Sequence, residues 1–299
     1  MSMTTFTIEQ QRVGWIARAG DFVELTKPRI SIMVLVTVTI AMLAAGAAAE
    51  DLPVAVATLL GVALVAASAS ACNQWLERDR DGRMLRTADR PLPAGRLTPW
   101  EVLAFALLTM ICGMSFLMVF AGWSPAAWAL ATWIVYVCVY TPLKSRTMWN
   151  TAVGAVSGAL PVLIGWSAIT PAWDLRIASL FLVLFFWQFP HFVAIAWIYR
   201  QQYSDAGFRM MTVTDPSGQL AAWHAMVGAL ILIVVAMLPA IGQPQAWPCL
   251  LAALLASVQL FFAWRFSRQL TLGTARQLLA MSIVYLPLAL GLLAFQAVP

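Results

Sequence analysis

Asn73, Glu77 and Asp81 recur at intervals of four residues, where a long apolar run gives way to a charged one. On a helix each such step advances a side chain by about 400°, so the three drift only about 40° per step and share one face. A row of hard oxygen donors suits Mg²⁺, which takes one or two carboxylates and completes its octahedron with water and substrate phosphate. Arg83, Arg86 and Arg90 follow closely, with Asp79 alongside. Both signs of charge packed together make sense around a diphosphate, whose charge a metal and guanidinium groups would share. The alternative is a solvated loop in which Arg and Asp pair with one another. Asn73 and Glu77 weigh against it, because they continue a transmembrane helix, where polar groups are costly and mark function.

Two further places carry reactive residue types. Lys144, in the run Tyr140-Thr-Pro-Leu-Lys144, is one of only two lysines. Arg would serve topology equally well there, so a lysine points to a point-charge contact with phosphate. The run Phe186-Trp-Gln-Phe-Pro190-His191-Phe192 places a helix-distorting proline and one of two histidines among aromatics. His191 in such a setting reads as a packing residue, a proton shuttle or a haem contact. His224, the other histidine, has less context and receives no role. Gly154, Gly158 and Gly165 follow at spacings that let helices approach closely, and packing explains them. Cys72, Cys112, Cys138 and Cys249 lack metal-ligand spacing and read as small apolar packing residues.

The elements that must hold these residues are membrane-spanning helices. The 299 residues are 62% hydrophobic and only 10% charged, against about 25% charged for a soluble chain. Runs of about 20 apolar residues predict nine spans near 29–48, 53–73, 100–120, 124–142, 151–169, 175–199, 219–240, 245–263 and 277–297. Residues 1–28 carry Glu9, Arg12, Arg18, Asp21, Glu24 and Lys27, and read as a short amphipathic arm, not a cleavable signal peptide. Residues 29–299 then form one polytopic domain. With these spans, every Lys and Arg except Arg176 falls on one side. The positive-inside rule makes that side cytoplasmic, with the N-terminus inside and the C-terminus outside. The net charge of +5 therefore describes an inner face suited to anionic lipid or an anionic substrate. Nothing points to nucleic acid.

The run from Asn73 through Glu77 and Asp81 to Arg86-Thr-x-x-Arg90-Pro-Leu-Pro-x-Gly95 resembles the first acidic motif of the UbiA-type intramembrane prenyltransferases. More narrowly, it resembles their protohaem IX farnesyltransferase branch. Leu25-Thr-Lys-Pro-Arg29, Tyr140-Thr with Lys144 and Asn150, Gly158-Ala-x-Pro161, Trp187-Gln-x-Pro190-His191-Phe192 and Tyr203-Ser-x-x-Gly207 match that branch too. The likeness covers roughly residues 22 to 295. Quinone-type relatives carry Asn-Asp at the start of the motif, where this chain has Asn73-Gln74.

The resemblance implies nine helices around a central cavity and two acidic motifs on the cytoplasmic side that hold Mg²⁺ and prenyl diphosphate. It implies farnesyl diphosphate as donor and protohaem IX as acceptor, giving haem O, in the inner membrane, where a downstream haem-modifying enzyme would take the product. The implied catalytic set is Asn73, Glu77, Asp81, Lys144 and His191, of which the first three hold the metal. Arg83, Arg86, Arg90, Arg200, Tyr203 and Asp205 are the expected substrate contacts. One departure stands out: the second motif usually has acidic residues where this chain has Gln201 and Gln202. Asp205 would lie on the same face as Gln202 if that loop were helical. Rival readings are a relative that prenylates a quinone precursor or another aromatic ring, and a polytopic carrier. The carrier is disfavoured because no internal repeat is visible and the polar groups gather at the inner surface instead of the midplane.

Overall fold

In a computed structural model, residues 3–241 and 245–295 are described, with side chains from Gly14 onward. The chain begins with α1 (Met3–Leu25) and α2 (Pro28–Ala44). It continues as α3 (Ala49–Asp81), α4 (Pro99–Ala121), α5 (Trp123–Leu143), α6 (Asn150–Ile169), α7 (Leu175–Ile198), a short α8 (Arg200–Asp205), α9 (Gln219–Ala240), α10 (Trp247–Gln269) and α11 (Leu272–Phe295). Among the described residues, eight helices are each long and apolar enough to cross a membrane. A ninth span counts if α1 from Gly14 and α2, bent by 51° at Thr26–Lys27, are taken together. Within the described residues the nine expected runs reappear as helices; residues 296–297 of the last run lie outside the described residues. α3 extends well past its expected apolar end, and α11 starts several residues early.

Local chemistry fixes the helix starts. Thr98 caps α4: its hydroxyl accepts from Glu101 N while Glu101 reaches back to Thr98 N at 2.9 Å, and Pro99 fills the first turn. Asp174 caps α7 by accepting from the amides of Arg176 and Ile177. Two stretches, Leu117–Ala121 and Ile134–Tyr140, are wound as π-helix. The second re-aims the end of α5, so that Thr141 Oγ1 donates to Tyr136 O and Tyr140 packs on Gly154.

Neighbouring helices pack in chain order from α3 to α7 and from α9 to α11, α7 meets α9, and α11 closes the bundle by packing on α7 and α2. Small residues set the closest approaches, as expected in lipid. A Cβ at Gly165 on α6 would fall 2.2 Å from the Val38 carbonyl of α2, so these two backbones touch. At Gly158 the occupant is the Gln188 side chain of α7, whose amide donates to Ala155 O and Leu184 O. The packing reading of the glycine series holds for all three positions. Leucine, valine and alanine side chains of α2, α6, α7, α9, α10 and α11 form the main core, Cys249 among them. Large apolar residues such as Leu60, Leu108, Val119, Leu254 and Ile283 point outward, as a surface solvated by acyl chains allows.

Candidate active site

α3 stays helical to Asp81, so Asn73, Glu77 and Asp81 do share a face, and all three are buried, at 1%, 4% and 2% exposure. Burying two carboxylates and an amide at a helix end is costly unless each is matched. Each rung has its own basic partner. Lys27 Nζ donates to Asn73 Oδ1 at 2.5 Å. Lys144 Nζ lies 2.9 Å from Glu77 Oε1 and donates to Oε2 at 3.2 Å. Arg90 Nη1 donates to Asp81 Oδ2 at 2.6 Å. The remaining Asn73 donor, Nδ2, reaches Thr141 Oγ1 at 3.1 Å.

Four segments far apart in sequence make this arrangement. The turn between α1 and α2 holds Lys27 in a left-handed conformation, φ 51° and ψ 64°, uncommon for a residue with a side chain. Two residues earlier, Leu25 O accepts from Gln74 Nε2 at 2.8 Å. The loop after α3 is folded back by Thr87 Oγ1 donating to Asp81 O, which brings Arg90 over Asp81. Arg96 then clasps the arm through Asp21 and Glu24, both at 2.6 Å, and Arg18 bonds Glu101. The end of α5 supplies Lys144, whose backbone O accepts from Arg209 N, and Asn150 Nδ2 donates to Arg209 O. The loops after α3, α5 and α7 and the N-terminal arm thus meet at one end of the bundle.

The two lysines respond to their surroundings in opposite directions. Burial, with Arg90 and Lys144 nearby, pulls the Lys27 ammonium down to about 7. Burial works against Lys144 as well, but Glu77 outweighs it and the net direction is upward. A pocket of about 260 Å³ opens beside the ladder, lined by Leu76, Glu77, Arg80, Thr141, Pro142 and Arg146.

The other expected residues sort into two groups. Arg86 and Tyr203 form an adjoining cluster: Arg86 Nη2 bonds Tyr203 Oη at 3.2 Å, and its guanidinium lies 5.1 Å from the Tyr199 ring centroid. Gln202 Oε1 accepts from Arg86 N at 3.4 Å. Arg83 instead lines a separate groove with Arg78, Asp79 and Gly82. Arg200 stacks on Trp197 at 4.3 Å. The loop carrying Asp205 is helical, as the substitution for a missing acid requires, but Asp205 is exposed and accepts from Gln201 Nε2. His191 sits away from the ladder within α7, stacked on Trp187 at 4.5 Å and bonded to Ser282. Sequence reasoning missed Lys27, Gln74 and Thr141 as members of the site. The signal for Lys27 was present: it is the other lysine of the pair.

The donor set fits Mg²⁺ in kind. Among the described residues no three His, Cys, Asp or Glu side chains cluster as a metal site; the ladder itself offers two carboxylates and an amide, and Mg²⁺ would take its remaining ligands from phosphate and water. Glu77 Oε1 has no hydrogen bond of good geometry despite the nearby ammonium, so it retains unused acceptor capacity.

Comparison with known proteins bears on the fold and the family. A protoheme IX farnesyltransferase of Rhodopirellula baltica is 41% identical over 289 residues, covering 92% of this chain and 99% of that one. One of Opitutus terrae is 40% identical, covering 93% and 94%. The fold matches a solved digeranylgeranylglyceryl phosphate synthase with TM-score 0.79 at 15% identity, covering 94% of this chain and 99% of the other. It also matches a UbiA homologue from Archaeoglobus fulgidus bound to DMAPP and Mg²⁺, with TM-score 0.64 at 14% identity, covering 91% and 99%. Residues 34–286 match the UbiA prenyltransferase family, and the chain belongs to that family of multi-pass membrane enzymes.

Proposed function

We propose that the protein transfers a farnesyl group from farnesyl diphosphate to a vinyl group of protohaem IX, giving haem O. The observation that carries this reading is the buried ladder with one cation on each rung, in a chain so similar to relatives named for that reaction. The reading extends to an inner-membrane location with the ladder facing the cytoplasm, in contact with anionic lipid, and to hand-off of the product to a haem-modifying enzyme. Its support is the placement of the basic loops at one end of the bundle.

Asn73, Glu77 and Asp81 would hold Mg²⁺, which supplies positive charge against the diphosphate that departs. Lys27, Lys144 and Arg90, now committed to the ladder, are the groups that turn toward phosphate oxygens, and Arg86 adds a fork from the adjoining cluster. As the allylic C–O bond breaks, its electron pair leaves with the diphosphate. The vinyl π electrons of the acceptor then form the new C–C bond. Water adds to the resulting acceptor cation, loses a proton and leaves a hydroxyl. Apolar walls delay capture of the first cation by water. Trp187 and Phe189, on the same helix as His191, offer aromatic faces to positive charge.

The test is incubation of the purified protein with farnesyl diphosphate, Mg²⁺ and protohaem, followed by mass analysis of extracted haem. A product heavier by one hydroxyfarnesyl unit supports the reading. Diphosphate release with unmodified haem would redirect it to a quinone or other aromatic acceptor, and neither binding nor release would favour a carrier.

A further inference from the structure

Arg78 and Gly82 each follow a rung of the ladder by one residue, so they lie about 100° round the axis of α3 from Glu77 and Asp81. On that side the loop after α3 folds back against the start of α4 and leaves a groove of about 550 Å³. Arg78, Asp79 and Arg83 supply its charge, and Leu92, Pro93 and Leu97 its apolar wall. The groove shares no lining residue with the pocket beside the ladder. Its arginines therefore serve something other than the reaction at Glu77 and Asp81.

The charge in the groove is unbalanced. Arg86, Arg90 and Arg96 of the same loop are committed to Tyr203, to Asp81 and to the pair Asp21 and Glu24. Arg83 is exposed and has no side-chain partner among the described residues. Arg78 donates to Trp75 O at 2.8 Å, and its guanidinium lies 4.9 Å from the Trp75 ring centroid. Its Nε lies 3.7 Å from Asp79 Oδ1, beyond a hydrogen bond. Two guanidiniums thus face one exposed carboxylate, with most of their forked donors unused. Glu101, close by on α4, is already neutralised by Arg18.

The groove also ends where lipid begins. Pro99 lines it and opens α4, and Trp100 in the first turn is 79% exposed, in the manner of an interfacial anchor. Below Trp100, Leu107, Ile111 and Met118 follow at spacings of seven, four and seven, all exposed, so they form one outward apolar stripe. A cationic head site at the cytoplasmic end of an apolar stripe has the outline of a phospholipid, with guanidinium forks for its phosphate.

We propose that this groove binds one anionic phospholipid, its phosphate between Arg78 and Arg83 and an acyl chain along the outer face of α4. The inference goes beyond the reaction and does not depend on which acceptor the ladder serves. Its bearing on the ladder is through the chain: Leu92 and Pro93 closely follow Arg90, so a headgroup resting on them steadies the segment that holds Arg90 over Asp81.

The experiment is a native mass-spectrometric titration of the purified full-length protein, delipidated in neutral detergent. The probes are dioleoylphosphatidylglycerol, whose phosphate has no compensating ammonium, and dioleoylphosphatidylcholine, whose phosphate has one. One phosphatidylglycerol is expected to bind at least about fivefold more tightly than phosphatidylcholine. Arg78→Gln and Arg83→Gln should each weaken it roughly fivefold, and together roughly 30-fold. Arg268→Gln with Arg276→Gln removes two exposed charges from the turn between α10 and α11 and should leave this site unchanged. Circular dichroism confirms that each variant is folded. Equal affinity for the two lipids, or no loss in the groove variants, overturns the proposal. An equal loss in the Arg268 and Arg276 pair overturns it in favour of diffuse surface charge. Complete displacement of the lipid by excess inorganic phosphate overturns it in favour of a free-phosphate site.

Discussion

Lys27 Nζ donates to Asn73 Oδ1 at 2.5 Å across a separation of 46 residues. It does so from a left-handed turn, so the backbone is strained to put that ammonium in place. Replacing it by Gln keeps length and removes charge. Lys27→Gln should raise KM for farnesyl diphosphate by about tenfold or more, since a hydrogen bond to a charged group contributes about 1.5–3 kcal/mol. Initial rates over a range of farnesyl diphosphate concentrations check it; an unchanged KM would remove Lys27 from the substrate site.

Asp81 is nearly isosteric with Asn, yet its carboxylate holds Arg90 at 2.6 Å and closes the ladder. Asp81→Asn should lower turnover by at least about 100-fold, the scale of losing one charge-stabilising group, and should also lower thermal stability in detergent, because Arg90 is left without its charge partner. Near-normal diphosphate release from this variant would end the metal assignment.

Arg86 bonds Tyr203 and faces the Tyr199 ring, which only a planar cation does well. Arg86→Lys should cost about tenfold in kcat/KM, whereas Tyr203→Phe, which removes one 3.2 Å bond at an exposed site, should cost about threefold or less. Steady-state kinetics of the two variants side by side decide whether the guanidinium or the phenol matters.

Two glycines separate packing from function. At Gly165 an added Cβ would meet the Val38 carbonyl at 2.2 Å, backbone against backbone. Gly165→Ala should destabilise by about 1–3 kcal/mol through separation of α2 and α6. Gly291 has nothing within 4 Å of such an atom, and Gly291→Ala should be neutral or mildly stabilising. Thermal unfolding in one detergent reads both; equal shifts would show that the α2–α6 contact can yield.

The ladder was legible because a four-residue spacing survives the passage from apolar to charged sequence, and helix geometry then dictates a common face. The spans were legible from length and hydropathy alone. Lys144 was legible because lysine is rare here and Arg would have sufficed for topology. Lys27 met the same criterion, but its approach to Asn73 depends on a left-handed turn and a 51° bend that no local pattern announces. The same holds for Gln74, visible as a departure from the quinone-type motif but not as the partner of Leu25 O. Arg83 and Arg200 carry the right charge near the right place, and only the path of the folded loop separates them from the ladder. The π-helical turns that aim Tyr140 and Thr141 leave no spacing rule to read.

The one-to-one matching of ladder and cation also constrains how this enzyme can change over generations. A buried partner left alone costs about 3–5 kcal/mol, so losing Glu77 without Lys144, or Asp81 without Arg90, passes through a poorly folding ancestor. Drift at these positions is therefore slow and paired. Lineages that have abandoned one member of a pair should have abandoned the other, and the ladder would be replaced as couples or not at all.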